Sequence, residues 1–573
     1  MNIESSHSSS ASASMTRREF LSSAVVAGAG SVLLGCGSGT PTVSSRPPLD
    51  LVIKGGHVFD GTGSEEKLLD VGIRDGRIVA LEGLQEANAT RVIDATGLKV
   101  VPGFIDIHSH VDLDLLQNPG AESKIRQGVT TEVTGADGMS VAPLGGAGLD
   151  RSLKAFRDDY GFDCPYRDME GFFGLMEQRR HAPNLISMIG LGTIRGVVVG
   201  EANRPATADE MEQMRRAVIR AVEQGCWGVS TGLEYTPGSF ASTEELTALV
   251  RVVPERCRIY ATHMRNEDNR LLEAIDEAIT IARGANASLQ VSHLKASYKI
   301  NWGKQERAIA MLQEASDKGM NVHADRYTYI AYNTDLVALF PLWSRDGGTD
   351  GLLVRLKDPT QLLRIRGDVQ RKIDGLGSWD AILISSVKRE DDRRYQGKTV
   401  QQIAAEEHVD PFDFVVTLME REDGDVSIVG FGMDEAGTEM VLRWKNTMIA
   451  SDAGSSSPTA STSRPHPRAY GTFPRAIGYY QRERKITTLP DMIRKMTSLP
   501  AQKLGLADRG TIGLRQAADI VLFDYTLIND RATFFDPHKF PDGIPYVIVN
   551  GEVVVDNNVQ TTALPGKVLR SRI

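Results

Sequence analysis

Eight short β-branched or apolar runs, separated by amphipathic stretches of helical period, constrain this chain more than any other feature. They end near His108, Thr134, Gly190, Thr231, Thr262, Ser292, Asp325 and Ser451. A strand that returns through a helix to a neighbouring strand must run parallel to it, and eight such units are the number that closes a barrel. The expected fold class is therefore α/β, a (β/α)8 TIM-like barrel over residues 101–506. Helices are predicted over 209–223, 267–283 and 304–318. The gap between the seventh and eighth runs is too long for one helix. It predicts an insertion at about 336–440 over the barrel mouth, with helices over 358–374 and 400–420.

Residues 49–100 and 507–573 are instead β-rich, with Gly and Asp punctuation. The strand-then-turn phrases Leu51-Val52-Ile53-Lys54-Gly55-Gly56 and Val547-Ile548-Val549-Asn550-Gly551 predict a small β-sandwich built from both chain ends, with the two phrases pairing. A 41% hydrophobic share supports a sizeable core and excludes a disordered chain. The net charge of -9, without a basic run, argues against nucleic acid as a partner. Cys36, Cys164, Cys226 and Cys257 contain no Cys-x-x-Cys pair and lack the spacing of a disulfide framework.

Residues 1–36 read as an address. Arg17-Arg18 ahead of Phe20-Leu21 resembles a twin-arginine export signal, and Leu33-Leu34-Gly35-Cys36 resembles a lipobox with Cys36 as the lipidated residue. The apolar run between them is too short for a ~20-residue membrane span. Residues 37–48 form the expected tether. The protein is thus expected to be periplasmic or at the cell surface, with a lipid anchor as its only membrane contact.

His108 and His110 follow the first run, and strand alternation puts both imidazoles on one side, where they can share a metal. His263 ends the fifth run, His293 the sixth and Asp452 the eighth, and barrel active sites are built at such strand ends. With only 11 histidines in the chain, four at matching strand ends point to a metal centre. His7, His57, His181, His408 and His538 read as surface or packing residues.

At these positions the sequence resembles the amidohydrolase superfamily and, within it, the N-acyl-D-amino-acid deacylase (D-aminoacylase) family, over about residues 50–570. The likeness is carried by Pro102-Gly103-Phe104-Ile105-Asp106-Ile107-His108-Ser109-His110, Gln127-Gly128-Val129-Thr130-Thr131, Ser230-Thr231-Gly232-Leu233, Thr262-His263-Met264-Arg265, Ser292-His293-Leu294-Lys295 and Ser451-Asp452. It extends through Arg464-Pro465-His466-Pro467-Arg468-Ala469-Tyr470-Gly471-Thr472-Phe473-Pro474-Arg475. The resemblance implies a barrel with a β-sandwich and one or two zinc ions. His108, His110 and Asp452 would hold one ion, and His263 and His293 the other. The family usually has Thr-Gly-Asn-Cys-Gly after the second strand, with the cysteine as a zinc ligand. Here the phrase is Thr134-Gly135-Ala136-Asp137-Gly138, and Asp137 stands in for the thiolate as a harder oxygen ligand. Glu132, mid-strand, is the reserve candidate. Leu191 departs from the histidine found there in many members, which bears on substrate contacts near the third strand.

The implied activity is hydrolysis of the amide bond of N-acyl-D-amino acids. Asp452 would be the general base, and Lys295, Tyr327, Arg468 and Tyr235 would receive the free carboxylate of this small-molecule substrate. Two alternatives stay open. One is a hydantoinase- or dihydroorotase-like cyclic amidase; the other is a surface lipoprotein that binds without catalysing.

Overall fold

The computed structural model describes residues 48–84, 89–459 and 462–571. Cys36 and the export motif lie outside them. All eight expected strands are present. The first (Phe104–Asp106), second (Val129–Thr134) and third (Asn184–Ser187) pair in parallel. The third resumes as Ile189–Gly190. The fourth (Val229–Gly232), fifth (Ile259–His263), sixth (Ser288–Val291), seventh (Val322–Arg326) and eighth (Thr447–Ile449) continue the parallel order. The ring closes where Ser109 meets Ala453 in a single parallel bridge; Asp452 N donates to His108 O at 2.9 Å and His110 N to Ala453 O at 3.2 Å. Ile105, Ile107, Val133, Ile186, Met188, Ile259, Ala261, Met448 and Ala450 form one buried cluster contributed by these strands, joined by Leu499 and Leu504 of the helix Ser498–Leu504.

Helices Ala208–Glu223 and Gln305–Asp317 match their expected positions, the first begun by a capping box of Thr207 and Glu210. The helix predicted from residue 267 begins at Leu271 instead. The Asn266 side chain accepts the N–H groups of Asp268 and Arg270, so the preceding turn competes with the helix and leaves Glu267 in a loop. In the insertion, the helix predicted over 358–374 is Pro359–Leu376, capped by Asp358. The predicted helix over 400–420 is two helices, Val400–Glu407 and Pro411–Arg421. His408 turns left-handed at φ 56°, Pro411 cannot supply a helical N–H, and Asp410 caps the second piece through Phe412 N and Asp413 N.

The insertion begins at Tyr332, slightly earlier than expected. Strands Tyr332–Asp335, Val426–Gly430 and Ile382–Val387 form an antiparallel sheet, and its helices pack around a core of its own that includes Phe340, Ile365, Val369, Val415 and Ile428.

The two chain ends do build one β-rich unit, but the two strand-then-turn phrases do not pair directly. Leu49–Val58 and Tyr546–Val549 lie in one nine-stranded sheet with Lys99–Pro102 and Ile520–Phe523 between them. Lys99–Pro102, which the sequence joins to the first barrel run, belongs to this sheet, and the chain changes sheets at Gly103. A Cβ there would lie 2.1 Å from Thr130 Oγ1, so only glycine fits. The end of the chain leaves the sheet: Leu185 N donates to Lys567 O, and Leu569 N to Leu185 O, alongside the third barrel strand.

Phe473, fully buried, stacks on Phe104 of the first strand with ring centroids 5.5 Å apart. Phe473→Ala is expected to cost about 3–5 kcal/mol, read as a lower denaturant midpoint with an unchanged slope.

Candidate metal centre

The strand ends bring the six expected donors together. Asp137 Oδ2 lies 3.3 Å from His108 Nε2, 3.6 Å from His110 Nε2, 3.9 Å from His263 Nδ1 and 3.7 Å from His293 Nε2. Asp452 Oδ1 adds contacts of 3.4 Å to His108 Nε2 and 3.0 Å to His110 Nε2. Three of the six residues, Asp137, His293 and Asp452, hold left-handed backbones at φ 51°, 34° and 51°. Such conformations are costly for residues with a Cβ and persist where surrounding structure enforces them. The loop carrying Asp137 is pressed against the fourth strand so closely that a Cβ on Gly232 would meet the Asp137 carbonyl oxygen at 2.0 Å.

This donor set fits a divalent cation. Ligands held at ~2.0–2.2 Å around one tetrahedral ion lie roughly 3.3–3.6 Å from each other, close to the separations above. His108 Nε2, His263 Nδ1 and Asp137 Oδ1 are buried without a hydrogen-bond partner. Buried polar atoms rarely go unpaired, and three in one cluster are explained by a ligand they would share.

The faces of the imidazoles turned away from Asp137 are also occupied. His108 Nδ1 lies 3.2 Å from Asp325 Oδ1, His263 Nε2 3.3 Å from Glu234 Oε2 and His293 Nδ1 3.0 Å from Glu267 Oε1. The carboxylates hydrogen-bonded behind His108 and His263 fix the tautomer of each ring and raise its basicity toward a metal. His263, Glu267 and His293 could by themselves form a second metal cluster. The Lys295 ammonium already fills that position, 2.5 Å from Glu267 Oε2 and 2.8 Å from His293 Nδ1.

Burial opposes charge on His110, but Asp137 and Asp452 outweigh it and raise its pKa to about 9. Burial and Lys295 push His293 down, yet Glu267, Asp452 and Asp137 bring it to about 10. Against its own burial, Asp137 is held well below the usual carboxylate range by the surrounding imidazoles, His108 foremost. The cluster therefore demands positive charge. Protons or a dication can supply it, and the two compete.

A cavity of about 700 Å³ opens above the donors, walled by the barrel loops and the insertion, and Lys295, Tyr327, Arg468 and Tyr235 all line it. Arg468 does not stand free: its Nη1 donates to Asp452 Oδ2 at 2.6 Å and its guanidinium lies 4.8 Å from the Tyr327 ring centre. The Tyr327 hydroxyl is buried without a partner. Tyr235 packs on His263 at 4.7 Å, and its hydroxyl meets Thr334 of the insertion at 3.3 Å. Leu191 is buried in the main core and does not line the cavity. Glu132 points to Lys124, 3.4 Å away, and not into the donor cluster.

Glu234 and Glu267 are not among the residues the sequence singles out, and Asp325 figures there only as a strand end. Glu267 falls within the helix expected over 267–283, which begins only at Leu271. Asp325 sits at the end of the seventh strand, the same kind of position that singled out the histidines, so that signal was present.

The amidohydrolase family model matches residues 91–328 and 395–555, and the chain belongs to the amidohydrolase family. The gap between the two matched segments, residues 329–394, lies almost wholly in the insertion. The N-acyl-D-glutamate deacylase of Alcaligenes xylosoxydans xylosoxydans is 33% identical over 91% of this chain and 96% of its own length. The D-aminoacylase of the same organism is 32% identical over 92% and 98%. The crystal structure of N-acyl-D-glutamate deacylase from Bordetella bronchiseptica, complexed with zinc and a phosphonate mimic of the tetrahedral intermediate, superposes with a TM-score of 0.76. It is 31% identical and covers 91% of this chain and 100% of that one. Within the amidohydrolases, the chain is a member of the N-acyl-D-amino-acid deacylase, or D-aminoacylase, family.

A His pKa raised from 6.5 to about 9 or 10 means that the folded, metal-free protein binds protons that the unfolded chain releases. That stabilisation is full below about pH 6.5 and is lost as pH rises through 9 to 10. Chelated protein is expected to show a falling Tm over this window, and added Zn2+ to raise Tm most at its upper end. A flat Tm for the chelated protein would contradict the assignment.

Proposed function

We propose that this chain is a zinc-dependent hydrolase that cleaves the linear amide bond of N-acyl-D-amino acids, releasing a carboxylate and a free D-amino acid. The observation that carries this reading is the placement of one carboxylate oxygen, Asp137 Oδ2, among four imidazoles at the base of a cavity whose walls include Lys295 and Arg468. Membership of the D-aminoacylase family over nearly the whole chain supports the substrate class.

His108, His110 and Asp452 would hold one zinc and His263 and His293 a second, with Asp137 facing both. A cation there would polarise the scissile carbonyl and make water acidic enough to react at neutral pH. Asp452 takes the proton of the attacking water and returns it to the departing nitrogen, a role worth ~10² to 10⁴-fold. Against burial, Arg468 leads the groups that keep the Asp452 carboxyl ionised, far below its usual range. Lys295, Arg468, Tyr235 and the free Tyr327 hydroxyl surround the substrate carboxylate. Carboxylate partners already hold the two cations in place, which limits the cost of ordering them on binding.

The proposal includes location: the Arg17-Arg18 and Leu33-to-Cys36 motifs support export and lipid anchoring at Cys36. No helix among the described residues is long and apolar enough to cross a membrane.

Paired D and L N-acetyl amino acids, assayed with zinc and with chelator, test the reading. Zinc-dependent turnover of the D series supports it. Ring opening of hydantoins without D-acylase activity would favour the cyclic amidase, and an inert protein the binding lipoprotein. Asp452→Asn is expected to fold and lose at least about 100-fold in kcat; near-normal kcat would remove Asp452 from the mechanism. Arg468→Ala is expected to raise KM for N-acyl amino acids. Because Arg468 lowers the Asp452 pKa, its loss also moves the acid limb of the kcat profile to higher pH. An unmoved limb would separate Arg468 from the base.

A further inference from the structure

A second charged cluster lies outside the cavity, at the barrel seam. Lys124, on the short helix Glu122–Ile125, is fully buried. Its ammonium donates to Asp106 Oδ2 at 2.6 Å and to Ala453 O at 3.1 Å, and also reaches Ser451 Oγ, which uses all three donors. Glu132 Oε2 lies 3.4 Å away. Asp106 in turn accepts from Ser451 N at 2.9 Å and Ser451 Oγ at 2.5 Å.

The placement of these groups gives the cluster a use. Asp106 precedes His108 by two residues on the first strand, and Ser451 and Ala453 flank Asp452 after the eighth. Between these two strands the ladder is reduced to the single bridge of Ser109 and Ala453. Other neighbours around the ring share longer registers, such as the four pairs between the fourth and fifth strands. A buried ammonium is costly unless it is paired and fully hydrogen-bonded. Here it meets both conditions, and its contacts join the two strands that the ladder joins weakly.

We infer that Lys124 is a positioning residue: through Asp106 and Ser451 it sets the separation of the His108/His110 pair from Asp452. The inference rests on the proposed role of Asp452 as base and as a ligand of the first cation. Lys124 does not line the cavity and acts through the seam.

The test uses full-length Lys124→Met and Ser451→Ala, compared with wild type by circular dichroism, steady-state kinetics on an N-acetyl-D-amino acid, and Zn2+ titration of chelator-dialysed protein. Both variants are expected to show kcat lower by about 10–100-fold, KM within about threefold, and zinc affinity weaker by about tenfold. Loss of folding without displacement of the donors would lower Tm alone. If Lys124→Met does not fold, Ser451→Ala decides, since it removes one arm of the clamp and leaves the charges paired. Wild-type kcat and zinc affinity in a folded variant overturn the role of Lys124. A wild type inactive on every N-acyl-D-amino acid overturns the functional reading beneath it.

Discussion

A buried carboxylate among four imidazoles has to be balanced by positive charge, and much of the architecture serves that balance. Asp137, His108, His263 and His293 are nearly sealed from water, where an unpaired charge is expensive. Carboxylates behind three of the rings add to the demand for positive charge, and an arginine sits on Asp452, so these donors are oriented before any cation arrives. Left-handed backbones at Asp137, His293 and Asp452 are tolerated because packing around them, such as the close approach at Gly232, leaves no other path.

The insertion extends this arrangement to the ligand cavity. It has its own sheet and core, and it sends Thr334 to Tyr235, Arg345 to the Glu234 carbonyl and Lys372 to within 3.7 Å of the Glu234 carboxylate. Glu234 backs His263, so the wall that meets the substrate is coupled by direct contacts to a metal-facing ring. If Asp137 takes the ligand place that the family resemblance gives to sulfur, its oxygen would make the centre harder and cation retention more dependent on these outer contacts.

Strand order and strand ends were legible because the period-2 and helical patterns alternate without ambiguity from residue 104 onward, and the four histidines with Asp452 mark those ends. Boundaries were less legible where side chains compete with the backbone. Asn266 delays one helix, and Asp410 with Pro411 divides another. The pairing of the chain ends was misread because two similar strand phrases can share a sheet without touching, and sheet order depends on which strands intervene.

The eight-unit frame and the placing of four histidines and Asp452 at strand ends were readable from local periodicity, and the family resemblance singled out Asp137. It took the folded barrel to bring Glu234, Glu267 and Asp325 behind the rings, Arg468 onto Asp452, and Lys124 onto Asp106, Ser451 and Ala453. Those contacts join residues up to several hundred positions apart, and no local pattern encodes which buried charge will meet which partner once the barrel closes.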